Sequence, residues 1–213
     1  MLLAYFNQTN LVTGGEDLAA IGVLGNVGPV ALDGWYLDLA ETSAQNDGHA
    51  AYSVGAKAKI EMVKLMARYS AVSHDATGAD TEKLWKVGAD AKFGIVSAGL
   101  AYGQTNDANA VGVGLGDADA DTSFQAWGLS LEKQADASLL IAKVGVDVLS
   151  DVNLSATYAT RDNKNNTEDQ EYYGQLTYKM GKNFMTYARI GQVDKETKTD
   201  DETRGRLHVQ YTF

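Results

Sequence analysis

The alternation of apolar and polar residues is sharpest at the end of the chain, in residues 203–213. Every second residue there is apolar or small, and the residues between them are polar. A period of two is that of a β-strand with two unlike faces. The apolar face ends in Tyr211 and Phe213, and the polar face carries Arg204 and Arg206. This pattern is typical of a strand with lipid on one side and water on the other.

The same alternation, in places weaker, predicts eleven further strands. They lie at residues 2–7, 17–24, 30–39, 52–60, 63–71, 85–93, 96–102, 140–148, 152–161, 172–180 and 186–190. The pattern is clear from residue 52 onward. Before residue 48 the facing of the strands stays open, because Asp33 and Asp38 occupy opposite parities of one strand. We therefore predict an all-β protein with twelve antiparallel strands.

The lengths of the predicted connections alternate. Long connections follow residues 9, 40, 72, 103, 161 and 193, and short ones lie near residues 26, 60, 94, 150 and 181. The alternation holds only if residues 105–136 form one loop, so the strand-like segment 124–131 is assigned to that loop. Long loops on one side and short turns on the other are typical of outer-membrane barrels. We predict one barrel domain over residues 1–213, with residues 105–136 as a long extracellular loop.

The positions of the basic residues support the same fold. Of the eighteen Lys and Arg residues, twelve fall on predicted strands, and all twelve lie on the polar parity; the other six, Lys83 among them, fall in predicted loops or turns. A Lys or Arg that faces lipid at the midplane costs about 2–4 kcal/mol, against a usual net stability of about 5–15 kcal/mol. A soluble antiparallel sheet also alternates. Strands of this length, the alternating loops and the terminal aromatic residue favour the membrane barrel.

Composition removes several other classes of protein. The formal net charge of -10 disfavours nucleic acid as a partner. The mean hydropathy is -0.24, and no apolar run of about 18 residues predicts a transmembrane helix. There is no Cys, hence no disulfide framework. Met1 leads directly into the first predicted strand without a signal peptide, so we expect a mature chain or a fragment.

The polar parity supplies the candidate functional residues. We predict that its side chains line a water-filled lumen and set its selectivity; the alternative is that the cations are only solvated or bind lipopolysaccharide. The candidates are Lys57, Lys59, Lys64, Arg68, Lys86, Asp90, Lys92, Lys143, Asp147, Glu171, Lys179, Arg189, Arg204, Arg206 and His208.

Four acidic residues of the predicted loop are candidates to face these bases across the lumen. They are Asp107, Asp117, Asp119 and Asp121. Bases opposite acids would produce a transverse field that orients polar solutes. The last three acids could also bind Ca²⁺ through carboxylate oxygens, although the segment lacks the Gly and Glu placement of the known calcium loop. No other cofactor is predicted.

Residues 139–213 resemble the C-terminal strands of the major outer-membrane porins of Campylobacter-type bacteria. The resemblance lies in the strand-turn-strand of residues 144–158, the block 172–187 and the ending at residues 206–213. It implies a trimeric general-diffusion porin in the outer membrane of a Gram-negative bacterium, in contact with lipid and lipopolysaccharide. The resemblance also implies a barrel of about 16–18 strands. In that case about six N-terminal strands and the inward-folded loop that narrows such pores lie outside this chain.

The function predicted from these features is passive diffusion of small hydrophilic solutes and ions, without catalysis. One alternative is a phospholipase-like barrel enzyme, for which Ser73 and His74 are the nearest candidates, but neither G-x-S-x-G nor H-E-x-x-H occurs. The other alternative is a non-conducting structural or adhesion barrel.

Overall fold

The protein forms one antiparallel sheet of twelve strands, seen in a computed structural model that describes residues 2–8, 16–39, 48–74, 78, 80–108, 121–198 and 201–212. This confirms the predicted all-β fold and the number of strands. The strands are β1 (Leu2–Gln8), β2 (Glu16–Val27), β3 (Val30–Leu39), β4 (His49–Ile60), β5 (Val63–His74), β6 (Glu82–Phe93), β7 (Val96–Thr105), β8 (Ser138–Asp147), β9 (Val152–Asp162), β10 (Glu168–Met180), β11 (Phe184–Lys195) and β12 (Glu202–Tyr211).

Each strand pairs with its neighbours in the chain, so the sheet is a continuous meander from β1 to β12. Within the described residues, β1 and β12 are the two edges, and no pairing joins them. The predicted alternation of connections is present. Five short turns join β2 to β3, β4 to β5, β6 to β7, β8 to β9 and β10 to β11. Three of them place glycine at positive φ, namely Gly28, Gly94 and Gly181, where a side chain would be strained.

One detail of the strand prediction was wrong. β6 begins at Glu82, three residues earlier than predicted, so Lys83 lies in a strand and not in a loop. Its side chain is exposed on the apolar parity at the end of the strand next to the long connection. The segment 124–131 lies outside the twelve strands, as predicted, and contains a single β-bridge between Gln125 and Ser130.

One face of the sheet, here called the outer face, carries a band of exposed apolar side chains. Aliphatic residues such as Leu100, Val144 and Leu176 occupy its middle and are about half exposed. Aromatic residues lie on both sides of this middle zone. Toward the long connections they are Tyr36, Tyr52, Tyr69, Trp85, Tyr102, Tyr158 and Tyr172, and toward the short turns they are Phe93, Tyr178, Phe184 and Tyr211. An apolar band between two aromatic girdles is the lipid-facing surface of a membrane barrel.

No helix among the described residues is long and apolar enough to cross a membrane.

The opposite face, here called the inner face, is apolar toward the long connections. The strand residues Leu37, Leu84, Leu139 and Val193 are buried there, under Phe124, Leu129 and Leu131 of the segment between β7 and β8. The sequence analysis did not predict this apolar end of the inner face, because Leu84, Leu139 and Val193 lie outside the predicted strands. Those residues form a platform on which the segment packs.

Candidate functional site

Residues 121–137, here called the tongue, fold back over the inner face as a short hairpin. The backbone N–H of Ala126 donates to Leu129 O at 2.8 Å, and that of Leu131 donates to Phe124 O at 2.9 Å. The tip of the hairpin is therefore formed by residues 127–128. The resemblance placed the inward-folded loop of such porins outside this chain, and that expectation stays a prediction; the tongue is a segment of the chain itself that lies against the inner face.

The tongue lies close to the sheet because glycine leaves room for it. A Cβ added at Gly103 of β7 would lie 2.7 Å from the ring of Phe124, and one at Gly128 would lie 2.6 Å from Val193. Such distances are shorter than van der Waals contact, so a larger residue at either position would push the tongue away from the platform.

The start of the tongue is fixed to β6 by Lys86. Its ammonium donates to a carboxylate oxygen of Asp121, to Asp121 O and to Ser123 O, each at 2.7 Å. Lys86 is only 2% exposed. An ammonium group has three donors, and here all three are used, so the charge of this buried lysine is compensated.

A second ion pair lies beside the first and crosses a strand. Arg68 of β5 donates through Nη2 to both carboxylate oxygens of Asp33 on β3, at 2.5 and 2.8 Å. Gly55 of β4 lies between them, paired in register with both residues. The Nε of Arg68 lies 3.6 Å from Asp121, so Asp33, Arg68, Asp121 and Lys86 form one cluster of alternating charge. Asp33 thus faces inward, which the sequence left open.

The tip of the tongue is fixed to β10 by Glu171. Its two carboxylate oxygens accept the backbone N–H of Gly128 at 2.8 Å, and one of them also accepts that of Leu129 at 3.0 Å. The returning arm is held by Arg161 of β9, which donates to Ser130 O at 2.8 Å and pairs with Asp169 at 2.5 Å.

Basic and aromatic side chains meet under the tip. The guanidinium carbons of Arg189 and Arg206 lie 5.1 and 5.8 Å from the ring of Trp127. That of Arg189 is also 4.6 Å from the Tyr173 ring and 5.2 Å from the Tyr187 ring. These distances are within the range of cation–π contacts.

All fifteen predicted wall residues lie on the inner face, by strand register and alternation. The tongue binds Lys86 and Glu171 directly. Toward the short turns, Lys92 pairs with Asp147 at 2.6 Å. The side chains of the remaining bases at this end are exposed; they are Lys57, Lys59, Lys64, Lys143 and Lys179.

The four predicted loop acids have different positions. Asp121 joins the charged cluster, as described above. Asp107 instead pairs with Lys164 of the β9–β10 connection, and this contact raises the pKa of that lysine. Asp117 and Asp119 lie outside the described residues, so the calcium hypothesis stays a prediction. The described residues contain no group of three or more His, Asp or Glu side chains that could hold a metal ion.

The candidate catalytic pair is separated by the sheet. Ser73 lies on the outer parity and donates to Ala50 O at 3.1 Å. His74 lies on the inner parity, where its Nε2 is 3.1 Å from a carboxylate oxygen of Glu82. Because the two side chains are on opposite faces, they cannot act as nucleophile and base on one substrate.

An apolar outer band with aromatic girdles, together with a charged inner face that carries an inward segment, defines an outer-membrane β-barrel protein. The family profile described as Gram-negative porin matches residues 3–198. The chain therefore belongs to the Gram-negative porin family, whose place is the outer membrane.

Solved porin structures share this fold at low identity. OccAB4 of Acinetobacter baumannii is 14% identical with a TM-score of 0.65, over 97% of this chain and 56% of that chain. The outer membrane channel DcaP of Acinetobacter baumannii is 12% identical with a TM-score of 0.59, over 99% and 71%. The NanC porin is 12% identical with a TM-score of 0.51, over 93% and 94%. The chain thus spans a little over half of OccAB4 and nearly all of NanC. A search of curated protein sequences found no match.

Proposed function

We propose that the inner face lines a water-filled channel through the outer membrane, and that small hydrophilic solutes and ions diffuse through it passively. The observation that carries this proposal is the tongue, which Lys86 and Glu171 hold against the charged inner face. A segment held inside a barrel narrows the lumen, and the charged groups around it then act on solutes at short range.

We propose further that the channel prefers anions. Toward the short turns, the exposed bases Lys57, Lys59, Lys64, Lys143 and Lys179 outnumber the acids Asp90 and Asp147 on the same face. Asp147 is already paired with Lys92. Excess positive charge on a low-dielectric wall raises the local concentration of anions. Electrostatic interactions across the lumen would be weakened by salt, because the Debye length is about 10 Å at 0.1 M.

We also propose a narrower family, a strand number and an oligomeric state for the protein. The resemblance of residues 139–213 supports a place among the Campylobacter-type major porins, as part of a trimeric barrel of about 16–18 strands. In that arrangement the long connections face the cell exterior and contact lipopolysaccharide. Crosslinking of the purified protein followed by mass measurement tests the trimer.

Conductance in planar bilayers tests the proposed function. Purified protein is expected to give steady open-channel currents, with a reversal potential in a KCl gradient that has the sign of chloride preference. Replacing the two tongue anchors together (K86M with E171Q) is expected to raise the conductance, because the tongue then leaves the inner face. A barrel that inserts without any steady current would be a structural or adhesion barrel and would contradict the proposal.

A further inference from the structure

Two arginines face each other on neighbouring strands of the inner face. Arg189 of β11 and Arg206 of β12 are direct partners in the register of the two strands. Like charges directly opposite each other destabilise a sheet. Among the described residues, neither guanidinium has a carboxylate within ion-pair distance. The pair is therefore a concentration of positive charge without a described counter-ion.

The acidic residues on the adjoining strands already bind other groups. Glu171 of β10 accepts the backbone N–H groups of Gly128 and Leu129. Glu202 of β12 accepts from Arg204 at 2.8 Å. Neither carboxylate is thus available to neutralise the arginine pair.

The orientation of Arg189 is fixed by a neutral partner. Its Nε and Nη2 donate to the amide oxygen of Gln175 at 2.8 and 2.6 Å. The amide nitrogen of Gln175 donates in turn to Thr177 at 2.8 Å, which holds the amide in this orientation. In the described part of the chain, Arg189 Nη1 has no hydrogen-bond acceptor. Arg206 is exposed and contacts only the Trp127 ring among the contacts described.

Flat aromatic surfaces surround the free donors. Both guanidinium carbons lie within 6 Å of the Trp127 ring centre, as given above. The rings of Trp127 and Tyr173 meet edge to face at 5.6 Å. One step toward the short turns, Tyr187 and His208 stack at 4.8 Å with an angle of 15° between their planes. The arginine pair therefore lies between the aromatic tip of the tongue and a stacked aromatic pair on the wall.

We propose that Arg189, Arg206 and Trp127 form a binding subsite for small planar organic anions, in which a carboxylate is attached to a flat ring. The carboxylate accepts the unused guanidinium donors of both arginines, since a planar fork matches a carboxylate in geometry. The flat ring packs against Trp127 and the neighbouring tyrosines in offset or edge-to-face contact. This inference rests on the proposed function, because the solute reaches the subsite through the lumen, and it names the class of solute that the channel retains.

Calorimetric titration of the protein in detergent micelles tests the subsite without any conduction. Benzoate is expected to bind more tightly than cyclohexanecarboxylate, which has the same charge and no flat ring, and benzamide, which is flat and neutral, is expected to show no binding. We expect Arg206→Gln and Arg189→Gln each to lower the affinity for benzoate about tenfold or more. The reason is that hydrogen bonds to charged groups contribute about 1.5–3 kcal/mol. Lys182→Gln removes the same charge from the exposed β10–β11 turn and is the control, with benzoate affinity within about twofold of the unsubstituted protein.

Trp127→Leu keeps both arginines and removes the ring, so it separates the aromatic contribution from folding effects on the wall. It is expected to abolish the preference for benzoate over cyclohexanecarboxylate. Three results would each overturn the inference: equal benzoate affinity in Arg206→Gln and the unsubstituted protein, no preference for the flat ring, or no binding at all. Bilayer conductance is recorded in parallel. Steady current without benzoate binding contradicts the subsite alone, and absence of current contradicts the proposed channel.

Discussion

The carboxylate of Glu171, on β10, accepts the backbone N–H of Gly128 at the tip of the tongue, with 2.8 Å to each of its oxygens. Glu171 is 1% exposed. A carboxylate that has lost its water depends on such donors, and Glu171 supplies the tip with a charged acceptor. This contact therefore holds the tip of the tongue against the inner face.

Replacing Glu171 with Gln is expected to loosen the tip. Glutamine has a single acceptor oxygen, and its amide group would meet the N–H of Gly128, so docking of the tongue weakens by about 1–3 kcal/mol. Single-channel recording should then show a larger and noisier current. Glu168→Gln removes the same charge from the exposed start of β10 and serves as the control. Identical current noise in the two variants would contradict this role of Glu171.

Replacing Lys86 with Met is expected to lower the stability of the folded barrel. The methionine fills similar space but no longer donates to Asp121 O and Ser123 O, and each lost hydrogen bond from a charged donor costs about 1.5–3 kcal/mol. Thermal unfolding in detergent measures the effect. Lys83→Met, on the same strand but exposed on the outer face, is the control and should change the melting temperature little. If both variants unfold at the same temperature, Lys86 is not an anchor of the tongue.

A methyl group at position 55 should displace the ion pair that crosses β4. In Gly55→Ala the new Cβ would lie 2.4 Å from Nη2 of Arg68 and 2.7 Å from a carboxylate oxygen of Asp33. Overpacking of this kind costs about 1–3 kcal/mol. Gly34→Ala is the matched control, because its nearest atom is 3.9 Å away. Denaturant unfolding compares the two, and equal midpoints would mean that the pair can move aside without cost.

The facing of the strands from β4 onward could be predicted from sequence, because the cost of exposing a charged side chain to lipid restricts such residues to one parity. A base such as Lys143 or Lys179 cannot face hydrocarbon without a cost of about 2–4 kcal/mol. A base away from the strand ends therefore marks the watery side, whereas Lys83, at the end of β6, does not. The facing of β3 could not be predicted in this way, since Asp33 and Asp38 gave opposite answers. The contact of Asp33 with Arg68, two strands away, shows that Asp33 faces inward.

The tongue could be assigned to a loop but its docking could not be predicted. Its anchors join residues 35 to 43 positions apart, such as Lys86 to Asp121 and Glu171 to Gly128. The buried platform under it was not predicted. Leu84 and Leu139 interrupt the polar parity at the strand ends, and these interruptions were the available signal. Trp127 was missed because the prediction relied on the alternation of residues along strands, and a loop has no such alternation.

The most direct test of the central claim, that one face of the sheet meets water inside a tube and the other meets lipid, is a cysteine scan along β6. The protein has no native Cys, so single Cys substitutions at Ala89, Asp90, Ala91 and Lys92 can be probed in bilayers with a charged, water-soluble thiol reagent. Positions 90 and 92 are expected to react and to change the channel current, while positions 89 and 91 stay protected by lipid. Equal reaction at all four positions, or reaction at 89 and 91 alone, would contradict the assignment of the two faces.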